Sequence, residues 1–177
     1  MEEKKITVFC ASSSEIDPQY KAAARELVRA LHALGYTLVS GGGERGLMGE
    51  IIRESAACGG RHIGILPGFM KGLESASLGA VVWTDTMSAR KEKMREGTCA
   101  AIALPGGIGT LEELMETHTL RKLGKYEGEV FALNINGFYD PLITLLQHFA
   151  KEGMMSREDL LLLHFPRTVE ELVASLS

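Results

Sequence analysis

The chain has 177 residues, 45% of them hydrophobic and 24% charged, with a formal net charge of −4; this composition suits one globular domain spanning residues 1–177 and excludes broad electrostatic binding to nucleic acid or an anionic membrane. Three widely spaced cysteines (Cys10, Cys58, Cys99) argue against a disulfide framework or zinc site and for reduced thiols. The opening "MEEKKITVFC" lacks a signal-peptide pattern and no apolar run reaches the roughly 18 residues of a membrane helix, so a cytoplasmic protein is expected.

Short β-branched or apolar runs alternate with helical patterns. "KITVFC" (5–10) predicts a strand, and 17–35 a helix with Asp17 as cap, Pro18 at its first position and Gly35 at its stop. "YTLVS" (36–40) is a second strand, followed by a glycine turn and helix in "GGGERGLMGEIIRESAACGG". Further strands are expected at 61–67 and 78–84, a helix at about 86–97, a strand at 98–105 and a helix from about 110 to 123. Then come a strand at 129–135, a helix at 140–153, an apolar run in 156–167 whose type the pattern leaves open, and a final helix begun by Pro166 or Thr168. This alternation implies parallel strands with right-handed crossovers, hence a Rossmann-like, doubly wound α/β domain with a mainly parallel sheet and helices on both faces. Ligands in such folds bind outside the carboxyl ends of the strands, where the turns read "CASSS", "SGGGERG", "LPGFM" and "LPGGIGT".

Two of these turns are glycine-rich and open helices: one contains Gly42 and Gly43, the other Gly106, Gly107, Ile108, Gly109 and Thr110. Bare N–H groups and the positive end of a helix dipole attract anions there, and Ser13 can add a hydroxyl. Neither turn has the spacing of a triphosphate P-loop or a dinucleotide fingerprint. On the helix "TMSARKEKM" (86–94), Met87, Arg90, Lys91 and Met94 share one face. Arg90 is there either a solvated edge residue or a forked donor to phosphate. Glu113 stands three residues after Thr110, the spacing of a capping box; it either closes that cap or does chemistry beside the anion. The five histidines show no metal-ligand spacing, and no GxSxG elbow or activated cysteine motif occurs.

"PGGIGTLEE" (105–113), "GGGERGLMG" (41–49) and "MSARKEKM" (87–94), with "NINGFYDPLI" and "EGMM" further on, together resemble the motifs of the LOG ("lonely guy") family of cytokinin riboside 5′-monophosphate phosphoribohydrolases. Members have been labelled lysine decarboxylases, but no motif for a pyridoxal-bearing lysine occurs here. The resemblance implies hydrolysis of the N-glycosidic bond of a purine nucleoside 5′-monophosphate, giving free base and ribose 5-phosphate. It implies Glu113 and Arg90 as the catalytic pair and Gly107, Gly109 and Thr110 as phosphate holders with Lys91 near them. It also brings Thr119 and Glu74 toward the substrate. No cofactor or metal is implied, and the partner is a second copy of the chain, in a homodimer with the site near the interface. Where family members often read "V-W-T-W-A-Q-L-G", this chain has "THTLRKLG" (117–124), which leaves the base open between a prenylated adenine and plain AMP. The alternative on the same scaffold is a non-enzymatic carrier of a nucleotide or molybdenum cofactor.

Overall fold

Seven strands and seven helices follow one another in a computed structural model that describes residues 3–176. In chain order they are β1 (Lys5–Phe9), α1 (Pro18–Ala33), β2 (Thr37–Ser40), α2 (Gly46–Ala57), β3 (His62–Pro67), β4 (Ala80–Thr84), α3 (Met87–Arg95), β5 (Thr98–Ala103), α4 (Ile108–Lys122), β6 (Glu129–Ala132), α5 (Asp140–Lys151), α6 (Arg157–Leu161), β7 (Leu163–His164) and α7 (Val169–Ser175). The strands form one sheet in the order β4-β3-β2-β1-β5-β6-β7. Every neighbouring pair is parallel, so "mainly parallel" becomes wholly parallel. The chain winds outward from β1 to β4 and then returns to lay β5 on β1's other side, which puts the switch point between β1 and β5.

Side chains along a strand point alternately to the two faces, and the core divides accordingly. Ile6, Val8 and Ile102 pack with Leu27 and Leu31 of α1, Ile51 and Ile52 of α2 and Leu172 of α7. Phe9, Ala101 and Ala103 face the other way, with Met94 of α3, Leu114 of α4 and Leu146 of α5. Each large side chain so buried contributes roughly 1.5–3 kcal/mol, which is why these central strands read as unbroken apolar runs.

Local signals set the helix ends. The Asp17 carboxylate accepts from Gln19 N–H at 2.9 Å, and Gly35 follows α1 at φ +82°. Thr86 caps α3 through a 3.1 Å bond from Ala89 N–H. Thr168, not Pro166, caps the last helix, its hydroxyl accepting from Glu171 N–H at 3.2 Å. The segment 156–167 resolves into the short helix α6 and the edge strand β7. β6 ends at Ala132 rather than 135, and α4 begins at Ile108 rather than about 110.

His62 is 1% exposed in β3. Its Nδ1 lies 3.0 Å from Ser55 Oγ and its Nε2 2.8 Å from Ser40 Oγ. Because the Ser55 hydroxyl donates to Ile51 O, its oxygen accepts from Nδ1–H, and Ser40 then donates to Nε2. Burial, with His32 adding a smaller effect, pushes the imidazole from 6.5 down to about 3. Between those two pH values the unfolded chain binds a proton that the folded chain refuses. The contribution is therefore intact above pH 6.5 and is lost as pH falls toward 3, at a slope of about 1.4 kcal/mol per pH unit. Urea unfolding of His62→Gln between pH 4 and 7 is expected to show a shallower acid loss than the native chain; equal slopes would contradict this.

Candidate active site

The carboxyl ends of β1, β2 and β5, joined by the segment after β3, enclose a cleft of about 750 Å³ at the switch point. Three contacts hold its walls together. Ala11 N–H donates to Pro105 O at 3.2 Å, linking the turns after β1 and β5; Met48 N–H donates to Ala11 O at 3.3 Å; and Ser75 N–H donates to Gly42 O at 2.9 Å. Glycine is required at position 46, where φ is +62° and an added Cβ would sit 2.5 Å from Ser13 O and 2.6 Å from Ala11 O. Position 42 is equally closed, with φ +78° and Leu66 Cδ1 2.4 Å from an added Cβ.

Opposite these turns, α4 starts on Gly107 with no side-chain cap. The N–H groups of its first turn, which have no partner inside the helix, stay available to an anion. Added Cβ atoms at Gly107 and Gly109 would meet nothing within 4 Å, so backbone is bare where Gly107, Ile108, Gly109 and Thr110 line the cleft. The capping box does not form. With the helix starting at Ile108, Thr110 lies inside it, buried, and Glu113 is its sixth residue.

Glu113 instead lines the cleft, and its carboxyl group has no hydrogen-bond partner among the described residues. Burial raises its pKa from 4.5 to about 7, against the opposing pull of Arg90. Such a group gains and loses a proton near neutrality, which suits general acid–base work. Arg90 is 7% exposed. Its Nε donates to Ile65 O and its Nη2 to Gly41 O, both at 2.9 Å. The cation is therefore fixed to the ends of β2 and β3 rather than solvated, and burial lowers its pKa. No ion pair within 4.0 Å joins it to Glu113 among the described residues; the two face one cleft and interact through space.

The structure thus gathers Ser13, Gly43, Glu74, Arg90, Gly107, Ile108, Gly109, Thr110 and Glu113 around one cavity. Four expected residues stand outside its lining. Gly42 braces the turn from behind. Gly106 packs on Thr110, where an added Cβ would lie 2.1 Å from Thr110 Oγ1. The Lys91 ammonium is drawn to Glu112 and Glu116, because it leaves α3 on the side facing α4. The Thr119 hydroxyl donates to Met115 O at 2.8 Å, on an exposed part of α4. None of residues 117–124 lines the cleft. Unforeseen members of the wall include Glu44, Arg45, Met48, Met70 and Leu73. Arg45 lay in view inside the "GGGERG" turn, whereas only tertiary structure brings Met70 and Leu73 over from the far side of β3.

The family described as "Possible lysine decarboxylase" matches residues 48–176. The chain is 42% identical over 156 residues to the Arabidopsis thaliana cytokinin riboside 5′-monophosphate phosphoribohydrolase LOG2, covering 86% of this chain and 73% of that protein. It is 38% identical over 176 residues to the LOG phosphoribohydrolase of Oryza sativa subsp. japonica, covering 98% and 72%. Among solved structures, the molybdenum cofactor carrier protein of Chlamydomonas reinhardtii matches at TM-score 0.74 and 22% identity over 99% of this chain and 96% of that one. The molybdenum cofactor binding protein of Rippkaea orientalis matches at 0.76 and 21%, with the same coverage. At such identities the structural likeness speaks for the fold alone.

Proposed function

Since this chain belongs to the LOG family of cytokinin riboside 5′-monophosphate phosphoribohydrolases, we propose that it hydrolyses the N-glycosidic bond of a purine nucleoside 5′-monophosphate to free base and ribose 5-phosphate. The observation that carries the reading is Glu113, unpartnered and poised near neutrality in the same cleft as a bare helix N-terminus. The 5′-phosphate sits at the first turn of α4, against Gly107, Gly109 and Thr110. That anchor holds the ribose so that its anomeric carbon lies by Glu113. Breaking the C–N bond builds positive charge on the ribose ring. The Glu113 carboxylate offsets that charge and directs a water to the carbon, while Arg90 favours the carboxylate form and holds the turn that frames the site.

The protein works as a homodimer with the cleft close to the subunit interface, a reading supported by the exposed apolar side chains of Leu73 and Ile108 in its lining. It resides in the cytoplasm, which suits its three free cysteines; no helix among the described residues is long and apolar enough to cross a membrane.

A panel of nucleoside monophosphates, including AMP, its N6-isopentenyl derivative, GMP and CMP, assayed for free base tests the proposal. Release from adenine nucleotides is expected. No release from any member, with nucleotide binding retained, would overturn it in favour of the carrier reading that the fold alone allows.

A further inference from the structure

Five charged side chains line the cleft: Glu44, Arg45, Glu74, Arg90 and Glu113. Three are acidic, an unpromising lining for a phosphate dianion unless a cation is free to meet it. Arg90 has two of its N–H donors committed to the carbonyls of Ile65 and Gly41. Lys91, the other cation expected near the phosphate, stands outside the lining and is neutralised by Glu112 and Glu116. Glu44 is engaged by Arg53. Arg45 alone remains: it is exposed, and its guanidinium has no hydrogen-bond or ion-pair partner among the described residues.

The backbone holds this residue in place while leaving its side chain free. Arg45 immediately precedes α2 in an extended conformation (φ −91°, ψ 156°) and forms no side-chain cap. The next residue, Gly46, is pressed against the carbonyls of Ala11 and Ser13, so Arg45 stands beside the β1 turn, whose Ser12 and Ser13 line the same cleft. Resting on the functional reading above, we propose that Arg45 is the cation that binds the substrate's 5′-phosphate, clamping it against the first turn of α4. A guanidinium offers the planar fork that meets two phosphate oxygens at once. An exposed arginine with no partner of its own is free to reach the phosphate once it enters, whereas the backbone amides and Arg90 are held in place.

The test is calorimetric titration of the full chain with ribose 5-phosphate and, separately, with adenine, using the native protein, Arg45→Ala and Arg45→Lys. Arg45→Ala is expected to weaken ribose 5-phosphate binding by about 10- to 100-fold, the scale of a charge-assisted contact. It leaves adenine binding and the unfolding temperature unchanged, because Arg45 has no structural partner to lose. Arg45→Lys recovers part of the affinity. Added salt weakens the native protein more than Arg45→Ala. Unchanged ribose 5-phosphate affinity in Arg45→Ala would overturn the proposal, as would failure of the native chain to bind ribose 5-phosphate. An equal loss for adenine would also overturn it, showing that the guanidinium stacks on the base instead. None of these titrations requires turnover. A chain that releases no base yet shows the Arg45 effect has lost the hydrolase reading and kept the phosphate clamp.

Discussion

Glu113→Gln is expected to lower the rate of base release by about 10²- to 10⁴-fold, the range for removing a positioned acid–base group, while the fold survives. In the native enzyme kcat/KM should rise with pH through an apparent pKa of about 7, since burial raises Glu113 to that value and the carboxylate is the working form. The variant should show no such limb. Stability is expected to move the other way. A carboxyl whose pKa is raised on folding favours the folded state fully below its unfolded value of 4.5 and loses that benefit as pH rises through about 7. Gln carries no charge to bury, so Glu113→Gln should be as stable as the native chain, or more so, at pH 8. Thermal unfolding at pH 5 and pH 8 measures this. Retained activity with lowered stability would make Glu113 a structural residue and remove the chemical reading.

Arg90→Lys should damage both activity and stability. A lysine ammonium cannot reproduce a planar fork spanning Ile65 O and Gly41 O. At least one buried carbonyl is left without a donor, at a cost of roughly 1–3 kcal/mol. Because Gly41 belongs to the turn framing the cleft, base release should fall by about 10²-fold or more, the scale of losing one preorganised donor. Arg90 also opposes the rise of the Glu113 pKa, so displacing its charge should move the pH–rate limb to higher pH. Parallel urea unfolding and pH–rate profiles separate these effects. An unchanged limb would mean that Arg90 supports the turn without acting on the carboxylate.

The winding of the sheet was legible because each strand is an apolar run bounded by turn residues, as in "AAIALPGG" and "LVSGGG". The tail was not, because a helix of five residues and a strand of two are too short to show a period. At the site, Arg90 and Glu113 stood out through motif resemblance. Their physical state did not, since burial and partners are set by packing. The misplaced start of α4 shows how this matters. Thr110 has the side chain of an N-cap, but the cap is Gly107, where backbone rather than a hydroxyl faces the cleft. Shifting the helix by two residues removes the structural duty assigned to Glu113 and leaves its carboxyl group free. Lys91 stands outside the cleft lining for a related reason. Adjacent helical residues diverge by about 100°, so Arg90 can line the cleft while its neighbour pairs with α4. Arg45 lay in view within the "GGGERG" turn, but its isolation from partners is visible only in three dimensions.

In the nucleotide, the glycosidic C–N bond rather than the phosphate ester is expected to break. Mixing the protein with AMP and quantifying adenine, ribose 5-phosphate, adenosine and inorganic phosphate in the same samples tests it most directly. Adenine and ribose 5-phosphate should accumulate in equal amounts, and both should disappear in Glu113→Gln; adenosine with inorganic phosphate, or base release that survives in Glu113→Gln, would contradict the account.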